Sequence, residues 1–288
     1  MKQTDRNALI AFVVLVIVGF LFALAGSQGE SPASGIPLFG ALVALIFLIQ
    51  WLAFIPAFVR QTERFFDLSG SITYIAVVTI GILYASAVDL RAILLWAVVV
   101  VWAARLGTFL FGRIHRAGKD SRFDDIKPSF LRFLNAWTIQ ALWITLTVGA
   151  ALVAITTSTR SELGVLGVVG LLIWLLGFAV EIVADSQKSR FNTIAENRGR
   201  FIQTGLWARS RHPNYFGEIT LWVGVALVAA PVLQGWQWVT LVSPLFVAFL
   251  LTRVSGIPLL EKRADEKWGG QADYEEYKKR TPVLIPRL

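Results

Sequence analysis

The sequence predicts an all-α fold: a polytopic integral membrane helix bundle of about eight spans with both termini cytoplasmic. Three observations carry that prediction. The chain is 56% hydrophobic and only 16% charged, with a mean hydropathy of +0.63, a composition typical of membrane proteins. It contains apolar runs close to the ~20 residues that a helix needs to cross a hydrocarbon core. Lys and Arg are also distributed asymmetrically. Of the 27, all but Arg91, Arg105 and Arg160 fall in segments that an eight-span count puts on one side. The positive-inside rule makes that side cytoplasmic.

The elements follow in order. Residues 8–26 form the first run, behind Lys2 and Arg6. This resembles a signal peptide ending at Ala25-Gly26-Ser27, but the apolar stretch is long, so an uncleaved span is expected. Further spans are expected at 38–58, 70–88, 91–112, 135–157 and 163–184. The last two, 216–232 and 237–254, are separated only by Gln234-Gly235-Trp236 and are expected to be the shorter or tilted pair. Basic segments at 113–134 and 185–215 and a tail at 255–288 lie on the cytoplasmic side. The chain reads as one membrane domain, 1–288, in which 1–37 is an added N-terminal span and loop and 60–288 a core.

Composition also excludes chemistry. With no Cys there are no disulfides, thiolate metal sites or cysteine nucleophiles. Two His and no clustered carboxylates argue against a metal site. The net charge of +8 is mostly a matter of topology and fits a basic face against anionic lipid better than nucleic-acid binding. There is neither a GxGxxG after a strand nor a Walker A motif, so a nucleotide site would have to be assembled from helix ends and loops.

Ionisable groups inside spans are costly and usually face a cavity or a partner. Here they collect on the cytoplasmic side: Asp67 in Phe65–Ser71, Arg105, the i,i+4 pair Glu181 and Asp185, Glu218, and Arg253. Each has a structural explanation. Asp67 can meet a helix dipole, Arg105 can snorkel, Glu181 and Asp185 can pair with Lys188 or Arg190, and Glu218 can be a first-turn acid. Their concentration on one side points instead to a site. The densest block is Ser210-Arg211-His212-Pro213-Asn214-Tyr215-Phe216-Gly217-Glu218-Ile219. The Lys and Arg of 185–215 suit phosphate. The basic stretch Arg113–Phe123 reads as a membrane-proximal loop or as a lid over an anionic ligand.

That block, with Ser255–Glu261 and Tyr274–Pro282, resembles the steroid 5α-reductase family, most closely its bacterial, DUF1295-like branch. Phe66–Ser71 and Gly118-Lys119-Asp120 fit the same branch, and the resemblance runs from about residue 60 onward. The Arg-His-Pro-Asn-Tyr element also occurs in membrane sterol reductases and isoprenylcysteine carboxyl methyltransferases. The resemblance implies a seven-helix core in a bacterial inner membrane, with NADPH held in the cytoplasmic half and a lipophilic enone entering from the bilayer. It implies cofactor contacts at Arg105, Glu181, Asp185, Arg200, Arg211, His212, Asn214, Tyr215, Glu218, Arg253 and Glu261. Asn214 and Glu218 match the nicotinamide end, Asp185 the ribose and adenine, and Arg200 and Arg253 the phosphates. The family's catalytic glutamate matches Asp67. Its tyrosine position matches Trp102, with Tyr74, seven residues after Asp67, as a rival. Ile257 and Glu261 stand where eukaryotic members have His and Tyr.

The reaction so implied is 1,4-reduction of a conjugated ketone, most simply a 3-oxo-Δ4 steroid to its 5α-dihydro product. Asp67, helped by Tyr74 or Trp102, would meet the charge that develops on the carbonyl oxygen. The alternatives are an S-adenosylmethionine-dependent membrane methyltransferase and a non-enzymatic lipid-binding or transport protein. The phosphate-suited arginines oppose the first, and the lack of an internal repeat opposes the second.

Overall fold

The computed structural model describes residues 3–29, 35–117 and 120–287, and every regular element among them is helical. Gly118 and Lys119, and the side chains of 113–117, lie outside the described residues. The helices are α1 (Gln3–Gly26), α2 (Leu38–Val59), α3 (Phe66–Tyr84), α4 (Leu90–Ala117), α5 (Phe130–Thr156), α6 (Gly164–Thr193), α7 (Pro213–Ala229), α8 (Ser243–Phe249), α9 (Ile257–Trp268) and α10 (Ala272–Arg280). Among the described residues, eight helical segments are long and apolar enough to cross a membrane, at the positions in the chain that the hydropathy runs predict.

The chain forms two compact units. The first comprises Met1–Gly167 and Val228–Ser243, the second Val168–Leu227 and Pro244–Leu288. In the first, α5 is the central helix: 83% of its apolar window is buried, against 17% for α1. Residue pairings fix the helix directions. Asn135 Nδ2 donates to the Ala8 carbonyl at 2.8 Å, and Gly149 packs on the Phe22 ring, so α1 and α5 run parallel. Gln50 pairs with Thr73 and Leu42 faces Gly81, so α2 and α3 run antiparallel. Trp96 pairs with Thr79 and Gly107 meets Ser71, which makes α4 antiparallel to α3. One end of this unit is tied by Gln237 Nε2, which donates to the Gln28 carbonyl at 2.7 Å. At that end Arg91, 1% exposed, donates to the carbonyls of Val228 and Glu162 and to Ser161 Oγ. The bond to Val228 is buried, while those to Glu162 and Ser161 are part-buried.

In the second unit α6 and α7 approach until their backbones touch. A Cβ on Gly177 would stand 2.5 Å from the Leu221 nitrogen. One on Gly217 would stand 2.7 Å from the Glu181 nitrogen, and one on Gly224 would stand 2.6 Å from the Trp174 nitrogen. Small residues at one face allow such contact, and these pairings make the two helices antiparallel. The last span departs from a regular helix. It starts as a 3₁₀ stretch, Gly235–Val242, continues as α8 and ends in a π-helical turn, Leu250–Val254, closed by Ser255 N–H donating to the Leu250 carbonyl.

Candidate functional site

The polar block 210–218 sits at the start of α7, which opens on Pro213, a residue whose missing N–H costs nothing in a first turn. Upstream, the chain turns through Gly205 at φ +63°, where Gln187 of α6 accepts the Leu206 N–H at 2.9 Å. The Trp207 indole donates to the Ala184 carbonyl, and Lys188 lies over its ring at 4.5 Å. The C-terminal tail then straps the block. Tyr277 Oη donates to the Trp207 carbonyl, Ser210 Oγ to the Leu284 carbonyl and Arg211 N–H to the Pro282 carbonyl. Burial pushes the Tyr277 phenol up to about 12, so it remains a donor at neutral pH.

Within this frame three predicted residues form one knot. Glu261, on α9, accepts from Arg211 Nη1 and pairs with His212 Nε2 at 2.7 Å. The His212 ring stacks on Tyr215 with centroids 5.7 Å apart, and Tyr215 lies against the backbone of Gly256, just beyond the π turn. Burial pushes the His212 pKa below its ordinary value, outweighing the opposing pull of Glu261. A neutral ring that gives its Nε2 proton to Glu261 keeps Nδ1 as an acceptor. That Nδ1 and the Arg211 Nε are both buried with no protein partner. Buried polar atoms are rarely left so, and a ligand with hydroxyl and acidic groups could use both.

The Gly217–Glu181 contact sets the level of the two acids of α6. Glu181 is 2% and Asp185 7% exposed, and the antiparallel register brings Asp185 level with Pro213 and Asn214. Asn214 and Glu218 are half-buried in the first turns of α7, while Arg200 and Arg253 are exposed. Ten of the predicted cofactor residues thus belong to the second unit, and Arg105 belongs to the first, its guanidinium over Phe109 at 5.2 Å.

The predicted catalytic residues are all in the first unit. Asp67 occupies the first turn of α3. Tyr74 and Trp102 are both buried and meet edge to face at 5.2 Å, so the two rivals for the tyrosine position are neighbours. Two features here escaped the sequence reading. Gln50, fully buried, donates to Thr73 Oγ1 at 2.8 Å beside Tyr74, and its Oε1 has no protein partner. Glu63 accepts from Lys127 Nζ at 2.7 Å and from the Asp120 N–H at 2.8 Å, clipping the segment after 113–119 to the turn before α3. Burial raises the Glu63 carboxyl, but those donors win and hold it below its ordinary pKa. Both are lone polar residues whose partners lie far away in sequence.

Comparison with known proteins places this architecture. A family profile described as "Protein of unknown function (DUF1295)" matches residues 53–281. The chain belongs to the DUF1295 family. The matched region of this DUF1295 chain takes in every predicted site residue and leaves α1 and most of α2 outside it. The chain is also similar to the steroid 5-alpha-reductase DET2 of Arabidopsis thaliana, 29% identical over 121 residues, which is 41% of this chain and 40% of that relative. The alignment therefore spans well under half the length of either protein. No solved structure matches. Among the described residues no group of three His, Asp or Glu could hold a metal ion.

Proposed function

We propose that this chain is a membrane oxidoreductase that uses NADPH to reduce the C=C bond of a lipophilic conjugated ketone, with a 3-oxo-Δ4 steroid as the leading substrate class. The likeness to a steroid 5-alpha-reductase carries the reaction class. The donor set of the second unit fits the cofactor. Arg200 and Arg253 are exposed guanidiniums suited to phosphate, and Arg211 Nε and His212 Nδ1 are buried polar atoms without protein partners. Asn214 and Glu218 would hold the nicotinamide end, Glu181 and Asp185 the ribose and adenine, with Tyr215 and Glu261 fixing the His212 ring. Bound NADPH would supply the hydride.

Asp67, Tyr74 and Trp102 are the candidates for the substrate end. Asp67, with Tyr74, would donate toward the substrate oxygen as it gains charge, and Trp102 would hold the Tyr74 ring. An apolar surround strengthens such a donor. Arg105 would add positive charge. The distribution of Lys and Arg supports a site that opens to the cytoplasm.

The test is purified protein in detergent with NADPH, NADH, S-adenosylmethionine and a 3-oxo-Δ4 steroid. NADPH alone should protect against thermal unfolding, and NADPH should be consumed as the dihydro product appears. Asp67→Asn should lower kcat by about 10²-fold. Protection by S-adenosylmethionine instead would replace this reading with a methyltransferase.

A further inference from the structure

The end of the first unit that bears the N-termini of α1 and α5 carries an open pocket of 570 Å³. Its lining divides by chemistry. Asn7, Arg132 and Asn135 supply the polar side, while Ile126, Ala136 and Ile139 supply the apolar side. Asn135 is 8% exposed, its Nδ2 spent on the Ala8 carbonyl at 2.8 Å, and its Oδ1 has no protein partner. Asn7 takes a hydrogen bond on Oδ1 from Gln3, which leaves its Nδ2 protons as donors. Arg132 is exposed and is braced by an Nη1 bond to the Asp125 carbonyl at 2.9 Å. One wall belongs to α1, outside the part of the chain that the family profile matches.

We propose that this pocket binds the headgroup of an anionic phospholipid of the phosphatidylglycerol type. The inference rests on α1 and α5 crossing a membrane and does not depend on the reaction proposed above. Each feature matches one part of such a lipid. Arg132, in the first turn of α5, and Asn7, near the start of α1, stand at helix ends, the level of lipid phosphates. A phosphodiester suits the Arg132 guanidinium and the Asn7 amide protons. A headgroup hydroxyl can donate to the stranded Asn135 Oδ1, which an ester-capped or quaternary headgroup cannot do. Below the polar rim Ile139 of α5 is exposed, and so are Ile10 and Val14, which share a side of α1 with Asn7, a surface for an acyl chain. Basic pockets between helices on the positive side of a membrane protein are known lipid-headgroup sites as a class.

The test titrates purified full-length protein in neutral detergent with phosphatidylglycerol, with phosphatidylcholine and with inorganic phosphate, reading the thermal unfolding midpoint and the lipid retained by native mass spectrometry. Phosphatidylglycerol is expected to raise the midpoint and to remain bound. Arg132→Gln, at an exposed position, is expected to raise the half-saturating concentration roughly fivefold, the factor for about 1 kcal/mol per surface cation. Arg60→Gln, a basic residue outside the pocket, should leave it unchanged. The proposal is overturned if Arg132→Gln titrates like wild type, if Arg60→Gln weakens binding equally, if phosphatidylcholine binds as well, or if inorganic phosphate alone gives the same shift.

Discussion

Replacing Gly217 with Ala tests whether the motif glycine serves packing or chemistry. The new methyl would stand 2.6 Å from the Gly177 carbonyl oxygen and 2.7 Å from the Glu181 nitrogen, where ordinary contact begins at 3.4 Å. Both neighbours are backbone atoms, so no side chain can rotate away, and α6 and α7 must part by about 0.8 Å or tilt. Overpacking of this kind costs about 1–3 kcal/mol, while Ala in a helix recovers up to ~1 kcal/mol relative to Gly. With the full helix term recovered, the net expectation is a loss of up to about 2 kcal/mol. Gly112 is the internal control, because a Cβ there meets nothing within 4 Å. Gly112→Ala keeps only the helix-propensity term and should be neutral or stabilising. Parting the helices also moves Glu181 and Asp185 away from the start of α7, and a shift approaching 1 Å can cost up to about 10²-fold in a positioned site. Thermal unfolding in detergent and NADPH affinity by fluorescence titration read the two effects. If Gly217→Ala raises the midpoint as Gly112→Ala does, or leaves NADPH affinity intact, the close-packing argument fails.

Two other perturbations separate structure from site. Arg91→Met keeps the length of the side chain but strips the donors from the Val228 and Glu162 carbonyls and from Ser161 Oγ; with the buried Val228 carbonyl left unmet at ~1–3 kcal/mol and the other two acceptors open to solvent, the loss should be of that order, and a midpoint within a degree of wild type would contradict it. His212 gives a pH signature: its folded pKa lies below the ordinary 6.5, so its contribution is fully present above pH 6.5 and is lost as the pH falls toward the depressed folded value. The midpoint should therefore drop between pH 7.5 and 5.5, and His212→Asn should flatten that drop; an unchanged slope would remove His212 as its source.

The spans were legible because an apolar run of about twenty residues has few other uses. Their ends were less so, for physical reasons visible in α3. The apolar run starts at Gly70 because Asp67 and Ser69 are polar, yet α3 begins at Phe66. Asp67 belongs there, since a first-turn acid meets the helix dipole. Ser69, Ser71 and Thr73 hide their hydroxyls by donating to carbonyls one turn back, so their polarity is spent inside the helix. In α6 the run falls short of the helix in the same way, at the C-terminal end. Hydropathy ends the span at 184, but the helix continues to Thr193, because leaving the hydrocarbon does not end a helix.

The site divides along the same line between local and non-local signals. Arg211, His212 and Glu261 were each named from sequence, but their pairing was not, because Glu261, on α9, lies 49 residues from His212. Glu63 and Gln50 went unnoticed for the same reason: one polar residue carries no period, and Lys127 is 64 residues from Glu63. The block 210–218 had read as a single chemical motif, but its residues do different work. Ser210 and the Arg211 backbone anchor the tail, Gly217 lets α7 meet α6, and His212 with the Arg211 side chain presents unmet polar atoms. A substitution at Gly217 and one at His212 should therefore differ in kind. The first should lower stability and cofactor affinity together. The second should change the pH dependence while the α6–α7 contact stays whole.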